Sequence, residues 1–349
     1  MLPDTLSDQL LAFHDEHGRH LPWRTTRDPY AIWVAEIMLQ QTTVATVIPY
    51  YTRFMTRFPT IDTLAAASLE EVLILWQGLG YYQRARSLHA TACQVCTRFG
   101  GHLPTDHAAM VHLPGIGPST AGAILAIAHN QPHAILDGNV QRVLARLTAL
   151  EQPVTTAKST LWELARRLTP VSRPGDYAQA IMDLGATLCT PRHPDCARCP
   201  WATACRAHAL GRETDFPVRQ PRKEKPRLWQ ATLLLWKNTH LLLCRRPEQK
   251  LLGGLWEPPG TQPVPTLRPD ALRDLIGQLD VQIEQIAKGT AVRHSFTHFH
   301  LTAEVWRASW RSGEPVTAGH TEWRWVGREE MARLPIATLH RKIFKLNIP

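Results

Sequence analysis

The segment Leu113-Pro-Gly-Ile-Gly-Pro-Ser-Thr-Ala-Gly122 places two glycines, Gly115 and Gly117, in a tight turn just ahead of a helix opened by Pro118. Such a turn lets backbone N–H groups and the positive end of a helix approach a phosphate. It is not a dinucleotide fingerprint, because G-x-G-x-x-G needs glycine where Thr120 stands, and it lacks the Gly-Lys-Ser/Thr of a P-loop. Standing alone, these residues suit an ordinary helix–helix turn. Leu-Pro-Gly-Ile-Gly is, however, the signature of a helix-hairpin-helix, which grips a nucleic-acid backbone without reading its sequence.

Outward from that turn the chain reads as helices. Pro118 to His129 is one, and Val140 to Leu150 another, with Val140, Val143, Leu144 and Leu147 on one face and Arg142 and Arg146 turned away. Upstream, Asp28-Pro29 supplies an N-cap and a first-position proline, after which Tyr30 to Val47 runs without a breaker. Further helices are expected over Leu64 to Gln77 and Tyr82 to Phe99, making residues 1–211 all-α. Residues 212–227 mix Arg212, Arg219, Arg222, Lys223, Lys225 and Arg227 with three prolines, the composition of a basic linker. Beyond it, Ala231 to Trp236 and His240 to Arg245 flank a Lys-Asn-Thr turn as a hairpin, and Thr297 to Trp306 reads as a strand. Leu267 to Leu279 and Glu329 to Leu334 read as helices, so residues 228–349 form an α+β domain.

The chain has 349 residues, enough for two cores, and a formal charge of +9 suited to a polyanionic partner. No stretch approaches the roughly 20 apolar residues of a membrane helix, and the first twenty residues carry acids and no apolar block. The expectation is a soluble, cytoplasmic monomer, nucleoid-associated if bacterial.

Four of seven cysteines crowd into CTPRHPDCARCPWATAC as Cys189, Cys196, Cys199 and Cys205, spaced C-x6-C-x2-C-x5-C. This is no disulfide framework; it indicates metal in a reducing compartment. Four thiolates hold either structural zinc or a 4Fe-4S cluster. One compact loop with unequal gaps differs from zinc ribbons, which bring two C-x-x-C knuckles from separate places. Cys93 and Cys96, in an alanine-rich helical stretch with no further ligand in reach, read as buried small residues.

Two carboxylates attract chemical interest. Glu36 sits in Tyr30-AIWVAEIMLQQT, a helix apolar nearly all round; burial there keeps a carboxyl protonated near neutral pH, ready to act as a general acid. The alternative is a glutamate that salt-bridges a neighbour. Asp137, at a helix start in Ala134-Ile-Leu-Asp-Gly-Asn-Val140, suits an N-cap or a carboxylate that stabilises a cationic transition state. A buried acid plus an ionised carboxylate is the pair that glycosidic cleavage requires.

Together, LPWR (Leu21 to Arg24), IWVAEIMLQQT, WQGLGYYQRAR (Trp76 to Arg86), LPGIGPSTAGAI, LDGNVQRVLAR and QAIMDLGATLC with the cysteine loop resemble the adenine DNA glycosylases that act opposite 8-oxoguanine, over nearly the whole chain. The resemblance implies a helix-hairpin-helix domain whose four cysteines hold a 4Fe-4S cluster as scaffolding. It implies an adenine flipped out of duplex DNA, since a stacked base cannot be reached. Glu36 would then protonate adenine N7 and Asp137 would stabilise the oxocarbenium ion. Asn139, Gln179 and Arg24 match positions lining the adenine pocket or its hydrogen-bond network, and Tyr81 and Gln41 match residues that wedge into the duplex. Related glycosylase/lyases carry at the place of Ser119 a lysine that forms a Schiff base with the sugar; serine cannot, so base removal without strand cleavage is expected.

The C-terminal half, with LLGGLWEPPG (Leu251 to Gly260) and a hairpin at His294-Ser-Phe-Thr-His298, resembles the Nudix-like domain of the same family. It lacks a complete Nudix box with its metal-binding glutamates, so nucleotide hydrolysis is not expected. The family's hairpin contacts 8-oxoguanine and reads Phe-Ser-His; here Phe296, Thr297 and His298 occupy it, with a methyl added at Thr297. The partner implied is double-stranded DNA with A:8-oxoguanine or A:G mispairs, alongside replication or repair proteins.

Overall fold

The computed structural model describes residues 5–220 and 224–348; Pro221, Arg222 and Lys223 of the expected linker lie outside the described residues. The chain divides into two compact units. One comprises the described residues up to Ala66 and from Ser87 into the linker; the other takes Ala67–Arg86 together with the described residues beyond the linker. The stretch expected to be linker is itself divided. Phe216 is buried in the first unit, and the first strand of the second unit begins at Arg227.

The first unit is helical. Its central element, Pro118–His129, packs against both Pro29–Leu39 and Pro174–Asp183. Small residues make that possible: Ala121, Gly122, Ala123 and Ala126 are buried on it. A Cβ on Gly122 would lie 2.4 Å from the Ala134 carbonyl oxygen, so only glycine admits the segment that leads into Asp137. Gly115 has φ +78, the left-handed region that favours glycine, and a Cβ there would lie 2.7 Å from that of Ser87. Gly117, the residue before Pro118, has neither constraint.

Several helices depart from the sequence expectation. The run from Tyr30 stops at Leu39 and a new helix starts at Val44, because Gln41 takes φ 56 between them. The single helix expected over 64–77 is two, Ile61–Ala66 and Leu69–Trp76. Ser68 and Glu71 form a capping box that restarts the chain. Arg146 is buried and Arg142 half-buried, so neither is turned to solvent. Cys93 and Cys96 are half-buried, their thiols meeting the Ala65 carbonyl (3.5 Å) and Asp62 Oδ1 (3.3 Å).

The second unit is built on a mixed sheet of β1 (Arg227–Lys237), β2 (His240–Arg245), β3 (Trp256–Glu257), β4 (Gln282–Lys288), β5 (Val292–Ser295), β6 (His300–Ser312) and β7 (Glu322–Val326). The order is β3-β2-β1-β6-β4, with β5 also pairing β6 and β7 pairing β2. The expected hairpin is present, Trp236 facing Leu241 and Lys237 facing His240. β1 and β6 run parallel, Arg227 facing His300 through Trp236 facing Ser309. Alternation along β1 sends Leu234 to the core covered by Thr338–Asn347, and Leu233 and Leu235 to the core covered by Ala271–Leu279. Glu257, the one acid of Leu251 to Gly260, is buried against Arg246 Nη1 (2.7 and 2.9 Å), His320 Nε2 (3.0 Å) and His340 Nε2 (3.4 Å). These partners hold its carboxyl down to about 2 despite burial.

Candidate active site

Glu36 owes its place to the helix that carries it. Asp28 caps that helix by accepting the Tyr30 N–H (3.1 Å), Pro29 opens it, and Tyr30 to Ala35, Ile37 and Met38 are all buried. Glu36 is the gap in this apolar wall. It opens on a cavity of about 850 Å³ lined also by Trp23, Arg24, Gln41, Ser119, Asp137, Asn139 and Gln179. Burial, then the nearby Asp137, push its carboxyl up to about 7, and Arg24 pulls it partly back.

Asp137 faces the same cavity and caps Gly138–Thr148 by accepting the Val140 N–H at 2.8 Å. Burial raises its pKa, opposed by the backbone N–H groups of Val140 and Asn139 and by the Arg142 charge. Asp137 therefore caps a helix while facing the cavity. Ser119 fixes the approach, its Oγ accepting the Leu136 N–H at 2.9 Å. Asn139 donates from Nδ2 to Asp137 Oδ2 (3.4 Å) and accepts at Oδ1 from Arg142 Nη2 (2.8 Å).

Arg24 is held by a residue that the sequence reading missed. Asp183, buried, accepts both Arg24 Nη groups at 2.7 Å and Arg19 Nε at 2.7 Å. The signal was present, since Asp183 is an acid in the apolar run QAIMDLG, the same anomaly that singled out Glu36. Gln179 lines the cavity with its amide donating to the Gly175 carbonyl (3.4 Å).

The four cysteines face a second, smaller cavity whose remaining walls include Val143, Leu147, Leu184, Leu188 and Trp201. Burial, reinforced by the neighbouring thiols, pushes Cys199 up to about 12; for Cys196, burial and then Glu213 push the thiol up to about 11. Arg146 ties the loop together. It donates to Cys189 Sγ (3.3 Å) and to the carbonyls of Thr190 (2.7 Å), Pro191 (3.2 Å) and Phe216 (3.0 Å), and its own carbonyl accepts the Cys205 thiol (3.4 Å). Arg142 reaches the Cys189 carbonyl (2.8 Å). A mixed donor set of Cys196, His208 and Glu213 lies alongside, but it shares Cys196 and cannot be filled together with the four-thiol set.

The remaining residues singled out in the sequence lie elsewhere. Gly115 and Gly117 are in the turn before Pro118 and do not line the cavity. Tyr81 and the hairpin belong to the second unit. Tyr81, 47% exposed with φ 48, stands out from its turn. At the hairpin, Phe296 packs on His294 and Phe299 (ring centroids 4.7 and 4.8 Å) and against the sheet core, leaving Thr297 and His298 exposed.

Residues 34–167 match the family described as "HhH-GPD superfamily base excision DNA repair protein", and residues 231–346 match "NUDIX domain". The chain is 36% identical to the adenine DNA glycosylase of Homo sapiens over 97% of its own length and 73% of that protein's. It is 30% identical to that of Schizosaccharomyces pombe over 97% and 88%. Among solved structures, a thermostable thymine-DNA glycosylase superposes with a TM-score of 0.55 at 31% identity, covering 58% of this chain and 95% of that one.

Proposed function

Because this chain belongs to the adenine DNA glycosylases, we propose that it is a monofunctional enzyme releasing adenine paired with 8-oxoguanine, or with guanine, in duplex DNA. The observation that carries this reading is the pair Glu36 and Asp137 on one cavity, the first with its proton held to about 7. At about 850 Å³ the cavity has room for an extruded nucleobase and its sugar. Adenine leaves as an anion unless it is protonated. Glu36, as a carboxylic acid, gives its proton to N7, and the bond to the sugar then breaks toward an oxocarbenium ion. Asp137, whose charge the Val140 and Asn139 backbone N–H groups favour against the effect of burial, stabilises that cation as a carboxylate. Water completes hydrolysis and Glu36 is left to regain a proton. Arg24, fixed by Asp183, and Asn139 and Gln179 supply polar contacts for the base.

No lysine lines the cavity among the described residues, and Ser119 engages the backbone. Both support hydrolysis without a Schiff base. The exposed Thr297 and His298 support the hairpin as the reader of the opposite base. Four thiols around one apolar cavity, with an arginine donating to one sulfur, suit a 4Fe-4S cluster held by Cys189, Cys196, Cys199 and Cys205. Its contribution when bound is to hold the 189–205 loop in shape.

The test compares duplexes holding A:8-oxoguanine, A:G and thymine glycol, with borohydride present in a parallel reaction. Expected are adenine release from the first two, strand breaks only after alkali, and no trapped adduct. Trapping of a covalent enzyme–DNA adduct, or release of thymine glycol in preference to adenine, would overturn the proposal.

A further inference from the structure

Tyr81 is an exposed aromatic in a left-handed backbone conformation, between Gly78 (φ 98), Gly80 (φ 77) and the helix Gln83–Phe99. A turn this unfavourable for tyrosine persists only when its surroundings determine it. They do. Trp76 Nε1 donates to the Gly80 carbonyl (3.1 Å), Arg84 Nη2 to the same carbonyl (3.2 Å), and the Gly78 N–H to Tyr82 Oη (3.3 Å). The buried Arg84 guanidinium lies 5.4 Å from the centroids of both Trp76 and Tyr81.

The turn is anchored within the second unit. Arg86 Nη1 donates to the Gly253 carbonyl at 2.7 Å, while its Nη2 is fixed by Gln83 Oε1 at 2.7 Å. Trp256 Nε1 donates to Glu70 Oε1 (3.2 Å), and a Cβ on Gly254 would lie 3.2 Å from Leu73 Cδ1. Trp256 opens β3, of the same sheet whose β5 and β6 bear the Phe296–His298 turn.

We propose that Arg86 is a positioning residue for duplex opening: by holding the Gly253 carbonyl it fixes the Tyr81 turn to the body that carries the Phe296–His298 hairpin. Base-pair reading and base-pair opening are then performed by one unit. This rests on the reading of Tyr81 as a wedge.

The test is a double-mutant cycle on the full-length, cluster-loaded protein with Arg86→Ala, Tyr81→Ala and the double variant. It reads single-turnover adenine release and the fluorescence of 2-aminopurine placed beside the target adenine, which reports unstacking. Loss of one charged hydrogen bond predicts a roughly 10-fold slower release for Arg86→Ala. It also predicts a lost unstacking signal, little change in affinity for the A:8-oxoguanine duplex, and a double variant no slower than Tyr81→Ala. Arg86→Lys, which still reaches the carbonyl, restores most of the signal and shows that the fold is intact. Independent, multiplicative losses at the two positions would overturn the role of Arg86 while leaving the wedge in place. If Tyr81→Ala unstacks the duplex as well as the wild type, the wedge reading itself fails, and the proposal with it.

Discussion

Glu36 is surrounded by buried apolar neighbours, so its charge and the fold's stability are in conflict. Its carboxyl lies at about 7 in the folded protein against an ordinary 4.5. A raised carboxyl means that the stability it contributes is complete below about 4.5 and is lost as pH rises through about 7, at a cost of about 3 kcal/mol when fully ionised. Glu36→Gln should therefore stabilise the protein at pH 8.5 by about 3 kcal/mol and leave it nearly unchanged at pH 4.5. Denaturant midpoints at the two pH values measure this; equal shifts at both would show that Glu36 is not protonated by its surroundings. Its anomaly was visible in the sequence because a lone acid in IWVAEIML has no polar neighbour. Arg24 was legible only through the family motif, since its fixing partner Asp183 lies far along the chain and pairing across such a distance leaves no local pattern.

At the scale of elements, the helix Pro118–His129 joins the hairpin to the site. Its first turn carries Ser119, which takes the Leu136 N–H, and one turn on Gly122 admits the Ala134 carbonyl. Alanine normally favours a helix interior over glycine by about 1 kcal/mol. Here the added Cβ would press on a backbone oxygen at 2.4 Å. Gly122→Ala should destabilise the protein by about 1–3 kcal/mol and slow adenine release by displacing Asp137. A more stable variant with full activity would contradict this packing. The start of the helix was legible because Gly117-Pro118 writes it locally. The break after Leu39 was not, because Gln40-Gln41-Thr42 contains no glycine or proline and the left-handed φ falls on Gln41. Gln41, the residue at that break, lines the cavity.

Across the whole molecule, the buried Arg146 connects the cysteine loop, the first part of the linker stretch at Phe216 and the helix that Asp137 caps. The helical pattern gave this residue to solvent; its burial is decided by carbonyls of the loop, which no periodicity within the helix can reveal. Arg146→Met leaves three carbonyls and a sulfur without their donor, and unpaired buried acceptors cost about 1–3 kcal/mol each. Iron and acid-labile sulfide per chain should fall by roughly half or more as the loop loosens. Unchanged iron content would remove Arg146 from the support of the proposed cluster. The two-unit division was legible from the proline-rich basic stretch. The membership of Ala67–Arg86 in the second unit was not, because it depends on contacts such as Arg86 with Gly253.

The role of Glu36 as the acid is tested by the pH dependence of single-turnover adenine release from an A:8-oxoguanine duplex, in the wild type and in Glu36→Gln. With Glu36 as the acid at about 7, the wild-type rate should fall about tenfold per pH unit above that point, and the variant should be slower by about 10²-fold or more with no such limb. A wild-type rate undiminished at pH 9, or a glutamine variant that keeps both the rate and the descending limb, would contradict the assignment of Glu36.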